Sequence, residues 1–176
     1  MLARGQTRAS FGQNAPLTGY SNFSHAESTN VFFVGMNVIL ADALELLLKT
    51  KRCQWHMRER HFRDHQLLID EQAEQLYAMT DLITEHIRKN GGSTLRSFGR
   101  IARDRLVAGN DAEYVDPFDM LAELRGDNQG LATRLRELHK IVDAKRDVAS
   151  ASLIEGWIHE AQRRIWFLYE SGRSVD

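Results

Sequence analysis

The chain has 176 residues, of which 43% are hydrophobic and 27% charged, and its formal net charge is −1. This length suits one domain or one subunit of an assembly, and the apolar share is enough for a buried core. The near-neutral charge argues against a general nucleic-acid binder, which is usually basic. Only Pro16 and Pro117 are prolines. Such scarcity favours long helices, because proline removes a helix hydrogen bond and clashes with the preceding turn.

The compartment is predicted from the single cysteine and the absence of export signals. Cys53 is the only cysteine, so no disulfide can form within the chain and a reducing compartment is expected. No secretory signal and no apolar run of transmembrane length are recognised in the sequence. We therefore expect a cytoplasmic protein without a membrane partner. Residues 1–27 are rich in small polar residues and are predicted to form a flexible N-terminal arm.

The first half of the remaining chain is predicted to form two long helices. The first covers about 28–57, is capped by Ser28 or Thr29, and is apolar around most of its circumference near its middle. The second covers about 61–89, where apolar residues recur at spacings of three, four or seven. The pair Gly91 and Gly92 follows it, and glycine is the usual residue just past a helix end.

The second half predicts a short helical connector and two more long helices. Ser93 is expected to cap the connector. The third long helix begins after Asp116, continues to about 144, and is followed by a fourth over 148–170 with Asp147 as its cap. The expected fold class is all-α. It is a ferritin-like four-helix bundle over 28–171, with a short helix between helices two and three and a C-terminal tail at 172–176.

A bundle of this kind can hold a metal between Glu-x-x-His motifs on two of its helices, because positions i and i+3 share a face. None of the seven histidines has Glu three positions before it. A di-iron center inside a single bundle is therefore not expected.

A different pattern is present in "LLLKTKRCQWHMRERHFRDHQLLIDEQAEQLYAMTDLITEHIRKNGG", residues 46–92. It resembles the signature of the Dps family, the mini-ferritins. That signature is Lys-x-x-x-x-His-Trp-Asn, a turn, Phe-x-x-Leu-His-x-x-x-Asp, then Asp-x-x-x-Glu-Arg and Gly-Gly. The residues in register are Trp55, Phe62, Asp70, Asp81, Glu85, Gly91 and Gly92. The ending "HEAQRRIWFL" at 159–168 also resembles the family's last helix.

The resemblance implies a hollow homo-oligomeric shell of twelve subunits that oxidises Fe(II) and stores a ferric mineral. The oxidant is usually hydrogen peroxide, with oxygen as the other candidate. The implied center holds iron, possibly as a di-iron pair, at a two-fold interface between subunits. Carried over by register, Asp70 comes from one subunit, whereas Asp81 and Glu85 come from its partner. Asp81 and Glu85 are i and i+4 and stack on one helix face, as a pair of hard oxygen ligands for iron requires.

The sequence departs from the family where two histidines are expected, since Gln54 and Gln66 stand in their places. A glutamine carbonyl oxygen is a weak ligand compared with imidazole. Histidines occur nearby instead, at His56, His61 and His65. We therefore predict an atypical center with Asp70, Asp81 and Glu85 and with metal ligands drawn from these histidines and glutamines. A nitrogen-rich site could also admit zinc as a competitor.

Other interpretations stay open at this point. The carboxylates could form a solvated helix face, His65 could be a hydrogen-bonded core residue, and His56 and His61 could simply be exposed. The shell could be catalytically silent and act as a structural or DNA-associated protein. It could also sequester zinc or iron without turnover. Arg4 and Arg8 are the only Lys or Arg residues of the arm, so DNA binding is predicted to be weak or absent.

Overall fold

The computed structural model describes residues 25–57, 62–112 and 115–172, without the side chains of 25–29 and 62. Within these residues the fold is all-α and contains five helices. They are α1 His25–His56, α2 Phe62–Lys89, α3 Phe98–Asp104, α4 Pro117–Asp143 and α5 Val148–Ser171. The predicted bundle with one short connecting helix is therefore confirmed. His61, most of the predicted arm and most of the tail lie outside the described residues.

The four long helices surround one apolar core. Helix α1 packs against α2 and α4, while α5 packs against α4 and α2. The fully buried side chains come from all four long helices. They include Met36, Ile39, Leu46, Ile69, Leu76, Ile83, Leu124, Leu131, Leu135 and Ile154. Each helix contributes such residues at spacings of three or four, which is why one face of each helix turns inward.

The helix ends test the predicted caps. The side chain of Asp116 accepts a hydrogen bond from the Phe118 amide, and that of Asp147 accepts one from the Ser150 amide, as predicted. Gly91 has φ of 82° at the end of α2, and the Gly92 amide donates to the Ile87 carbonyl. This is the hydrogen-bond pattern of a Schellman motif, whose left-handed residue just past the helix end is usually glycine.

Two predicted starts are wrong. Helix α1 already includes residues 25–27, so neither Ser28 nor Thr29 caps it. The connector helix is capped by Ser97 rather than Ser93, because only Ser97 offers its hydroxyl to the Arg100 amide. The Ser93 carbonyl instead accepts a hydrogen bond from the Asn37 side chain.

The expectation about apolar runs also needs a correction. Residues Asn30–His56 of α1 are long and apolar enough to cross a membrane by length and composition. A buried core helix passes the same test, and 56% of the apolar window is buried inside the bundle. The burial of α1 against α2 and α4 therefore explains its composition.

A buried arginine of α5 interrupts the apolar core. Arg164 of α5 is 1% exposed, and its Nε donates to Asn128 Oδ1 of α4 at 2.7 Å. Within the described residues its one other hydrogen bond is a long one, 3.5 Å, to Gln75 Oε1 of α2. Burial lowers the pKa of Arg164 to about 10, although the charge of Glu160 opposes this. The guanidinium therefore joins three helices through neutral amide partners.

Candidate metal center

Asp70 of α2 is held by the end of α1. Lys51 Nζ lies 2.6 Å from Asp70 Oδ1 and donates a second hydrogen bond of 2.9 Å to Gln54 Oε1. Hydrogen bonds from Lys51 and Gln54 and the charge of Lys51 keep the pKa of Asp70 below its ordinary value. Asp70 is therefore an anion with a cation beside it. The sequence predicted Asp70 and Gln54 but missed Lys51, whose only signal was its i, i+3 spacing from Gln54.

Asp81 and Glu85 lie on an exposed face further along α2. The side chain of Asp81 makes no hydrogen bond or ion pair within the described part of the chain. Glu85 Oε1 lies 2.7 Å from Lys89 Nζ, and this hydrogen bond and charge hold the pKa of Glu85 below its ordinary value. The pair thus presents carboxylate oxygens outward from one helix face, as the i, i+4 spacing predicted.

A single chain does not bring these carboxylates together. Asp70 and Asp81 are eleven residues apart on one helix, which is about 16 Å along its axis. Eleven residues also make nearly three whole turns, so both side chains project from the same face. In the described residues no group of three His, Cys, Asp or Glu residues is close enough to hold a metal ion. Any center that uses all three carboxylates must therefore include a second chain.

The two glutamines and the histidines occupy different surroundings. Gln54 and Gln66 are both partly exposed, and Gln66 shares the face of Asp70 at i, i+4. His65 is buried, at 9% exposure, and lies about 140° around α2 from Asp70. Its place as a ligand stays a prediction. His65 instead continues the buried row that includes Ile69.

His56 ends α1 and is exposed. Its Nδ1 lies 2.9 Å from the Arg52 carbonyl, which makes Nδ1 the protonated nitrogen in the neutral ring. The other nitrogen, Nε2, then carries the free lone pair, an arrangement common among metal-binding histidines. His56 can accordingly bind a metal in the tautomer that it adopts.

Two further histidines serve the bundle itself. His86 Nε2 lies 2.7 Å from Ser150 Oγ, and that hydroxyl donates to Asp147 at 2.5 Å. Burial lowers the pKa of His86 against the opposing charge of Asp147. His139 Nε2 lies 2.9 Å from Glu155 Oε1 across α4 and α5. Both histidines link helices.

The face that carries the carboxylates is also apolar. Tyr77, which lies between Asp70 and Asp81, is 61% exposed, and Trp55 beside Gln54 is 65% exposed. Leu48, Leu67 and Leu82 are exposed on the same two helices. Large exposed apolar side chains on neighbouring helices are typical of protein contacts. The carboxylates of α2 therefore lie among residues that suit a subunit interface.

Comparison with known proteins places the chain in a family. The family model described as a ferritin-like domain matches residues 35–171. An uncharacterised low temperature-induced protein of Nostoc sp. is 28% identical over 134 residues, which are 76% of this chain and 75% of that protein. The DNA protection during starvation protein of Agrobacterium fabrum is 25% identical over 148 residues, or 82% of this chain and 88% of that protein.

Solved structures show the same fold. Dps from Thermosynechococcus elongatus superposes with a TM-score of 0.81 at 21% identity, covering 85% of this chain and 94% of that one. The Dps protein from Vibrio cholerae gives a TM-score of 0.78 at 16% identity, over 83% and 91% of the two chains. That protein is described as a member of a broad superfamily of ferritin-like diiron-carboxylate proteins.

Proposed function

The chain belongs to the ferritin-like family, and from this premise we propose that it is a Dps-type mini-ferritin that oxidises Fe(II) and stores ferric mineral. The oxidant is hydrogen peroxide or oxygen, and the mineral is held inside a hollow shell of twelve chains. Removing Fe(II) together with its oxidant protects the cell from oxidative damage. A cytoplasmic location is consistent with a lone buried cysteine.

The observation that carries this proposal is the arrangement of carboxylates on α2. Two copies of α2 that cross antiparallel about a two-fold axis bring Asp70 of one chain opposite Asp81 and Glu85 of the other. The pairing is self-complementary, so one interface contains two equivalent centers. Tyr77 lies about midway between the two carboxylate groups, close to the axis. Carboxylates that lie about 16 Å apart within one chain would thus meet carboxylates of the second chain.

The residues of this center have separable roles. Asp70, Asp81 and Glu85 supply hard anionic oxygens, which favour Fe(III) over Fe(II) and so assist the loss of an electron. Two Fe(II) ions give up one electron each, and one peroxide takes both electrons with two protons to form two waters. Gln54 and Gln66 add neutral oxygens, and His56 or His65 would add nitrogen. Lys51 competes with the metal for Asp70.

A weak DNA-associated role is the second candidate, and one feature of the connector favours it. Residues 88–105 contain six Lys or Arg and one acidic residue, Asp104, a local charge of +5. The rest of the chain therefore carries −6, since the total is −1. Arg88, Arg96 and Arg103 are exposed in this segment. Such a surface attracts phosphate, but with few contacts the binding is weak and sensitive to salt.

The assay for the proposed function is Fe(II) oxidation by the purified assembly. Fe(II) is loaded without oxygen, peroxide or oxygen is added, and ferric absorbance is followed beside Glu85→Ala and His65→Ala. Asp143→Ala, an exposed acidic residue of α4, is the matched control. Fast oxidation that Glu85→Ala abolishes and Asp143→Ala retains is expected. Loss in His65→Ala as well, with the shell intact, would add His65 to the center.

The same assay separates the alternatives. A wild-type rate no faster than buffer would contradict the oxidase and leave a silent or metal-sequestering shell. Stoichiometric metal binding without a mineral core would then favour sequestration. Zinc is tested by its ability to compete with Fe(II) for the same site.

A further inference from the structure

A row of charged side chains runs along the otherwise apolar helix α1. Asp42, Glu45, Lys49 and Arg52 follow at spacings of three, four and three, which places them on one side of the helix. Asp42 and Lys49 are buried, and the other two are mostly shielded. All four contact the connector segment 105–110: the two acidic residues contact residues 105–107, and the two basic residues contact residues 108 and 110. We call this row the charged stripe.

The acidic half of the charged stripe holds two backbone amides and one arginine side chain of the segment. Asp42 Oδ1 accepts hydrogen bonds from the amides of Leu106 at 2.6 Å and Val107 at 2.8 Å. Glu45 Oε1 lies 3.1 Å from Arg105 NH1. Burial raises the pKa of Asp42, although Arg134 and the two amides oppose this. The start of the segment is thus fixed by carboxylates.

The basic half of the stripe holds backbone carbonyls. Lys49 Nζ donates to the Ala108 carbonyl at 2.9 Å, and Arg52 donates to the Asn110 carbonyl. The segment therefore lies alongside α1, with two of its amides on Asp42 and two of its carbonyls on the basic residues. Because these contacts end at Arg52, the connector is fastened to the last turns of α1.

Glu123 of α4 joins the basic half together. Its carboxylate lies 2.6 Å from Lys49 Nζ and 3.6 Å from Arg52 NH2, and it accepts a hydrogen bond of 2.9 Å from Asn110 Nδ2. Burial acts to raise the pKa of Glu123, but these hydrogen bonds and charges hold it below its ordinary value. One carboxylate therefore contacts both basic residues and the connector that they bind.

The same turns of α1 face the candidate metal center on their other side. Lys51 and Gln54 point roughly opposite to Lys49 and Arg52 around the helix. A rotation of these turns about the helix axis would therefore move both sets of side chains at once. The Lys51 side chain, which pairs with Asp70, therefore lies on turns of α1 whose other side is held by Lys49 and Arg52.

We propose that Glu123 is a positioning residue, which acts through Lys49 and Arg52 to keep Lys51 on Asp70 and so limits the affinity of the center for divalent metal. This inference rests on the proposed function, because it concerns the same center. It differs from a general contribution to stability in the sign of its effect. Loosening a structural contact would weaken metal binding, whereas releasing Lys51 from Asp70 strengthens it.

The test measures Co²⁺ affinity of the assembled protein by calorimetry. Glu123→Gln is compared with Asp119→Asn, an exposed acidic residue one turn earlier on α4. We expect tighter binding in Glu123→Gln by about twofold to fivefold, the range that an exposed ion pair supports. Asp119→Asn should bind like the wild type, and Glu123→Asp should return toward it. Weaker or unchanged binding in Glu123→Gln would overturn the proposal.

A double variant checks the route of the effect. In a Lys51→Met background there is no ammonium to position, so Glu123→Gln should change Co²⁺ affinity no further. A persistent effect would mean that Glu123 does not act through Lys51. If Glu123→Gln assembles poorly, Arg52→Met takes its place in the test. It removes a basic residue that Glu123 contacts, and it should raise Co²⁺ affinity in the same way.

Hydrogen exchange provides a readout that needs no metal. Glu123→Gln should speed amide exchange both in segment 105–110 and in residues 53–57, the end of α1. Faster exchange in the connector alone would overturn the proposal. If the wild type binds no Co²⁺ but the exchange result holds, the metal center fails while the link between Glu123 and α1 stands.

Discussion

Lys51 places its ammonium nitrogen 2.6 Å from Asp70 Oδ1, so the carboxylate that the family pattern assigns to metal binding holds a cation of the protein itself. The contact joins α1 to α2, and Gln54 shares it. A metal ion that binds Asp70 as proposed would have to displace this ammonium group. The metal affinity of the proposed center would then depend on this competition as well as on its ligands.

Removal of that competitor is the first prediction. Lys51→Met should raise the affinity of the assembly for Co²⁺ by about twofold to fivefold, because the carboxylate is then free of its ion pair. Calorimetric titration measures it, with Lys140→Met on the exposed surface of α4 as the control. A fall in affinity would show that Lys51 supports the center rather than opposing it.

The second prediction concerns the register of the two-fold contact. Asp70 opposite Asp81 and Glu85 puts residues 76–78 of the two chains nearest the axis. Tyr77→Cys, in a Cys53→Ser background, should therefore form a disulfide between two chains on mild oxidation. Non-reducing gel electrophoresis detects the dimer. Asp143→Cys on α4 should stay monomeric on the gel, and equal cross-linking of both variants would argue against this register.

The third prediction concerns the buried cation of the core. Asn128→Ala should lower the free energy of unfolding by about 2 kcal/mol, because the Arg164 guanidinium loses its nearest acceptor. Replacing both residues, as Asn128→Leu with Arg164→Met, removes the buried charge and should be less damaging. Urea unfolding at a fixed chain concentration compares the two. A double variant less stable than Asn128→Ala would contradict the idea that the charge is costly.

The fourth prediction concerns Cys53. Burial raises the pKa of its thiol to about 11, against the opposing charge of Arg52. At pH 8 only about one thiol in a thousand is then ionised, and the thiolate is the reactive form. Iodoacetamide should leave the native protein unmodified and label it after unfolding in urea, as mass spectrometry would record. Rapid labelling of the native assembly would contradict the buried position.

The fifth prediction concerns DNA. The protein should retard DNA in a gel near 50 mM salt but not near 150 mM, because few phosphate contacts are available. Arg96→Gln combined with Arg103→Gln should abolish the low-salt band shift, while Arg163→Gln on α5 should not. A clear shift of wild-type protein at the higher salt would contradict weak binding.

The sequence predicts much of the fold, because its signals are local. The apolar periodicity places the four long helices, and the caps at Asp116, Asp147 and Gly91 are confirmed by their hydrogen bonds. Resemblance to the Dps family, drawn from residues 46–92, is confirmed by the comparisons. The predicted cap at Ser93 is wrong because the Ser93 carbonyl makes a tertiary contact with Asn37, and the connector helix begins four residues later, at Ser97.

The center is less predictable, because its parts come from distant positions. Spacing alone placed Asp81 and Glu85 on one face, but it could not reveal that Lys51 pairs with Asp70. The charged stripe was also missed. The contacts of Asp42 and Lys49 could not be predicted from the apolar sequence of α1, because their partners lie some 60 residues away in the connector. The predicted ligand role of His65 is tested by His65→Ala, because this side chain lies on the helix face that is turned toward the bundle.

The most direct test of the shared center is complementation between two inactive variants. Chains with Asp70→Asn and chains with Glu85→Gln are coexpressed under different tags, and mixed assemblies are purified. If the center lies between subunits, half of the interfaces pair unlike chains and each restores one center of two. The mixed assemblies should then oxidise Fe(II) at about a quarter of the wild-type rate, while each parent is inactive. No recovery in correctly assembled mixtures would contradict a center shared across the two-fold interface.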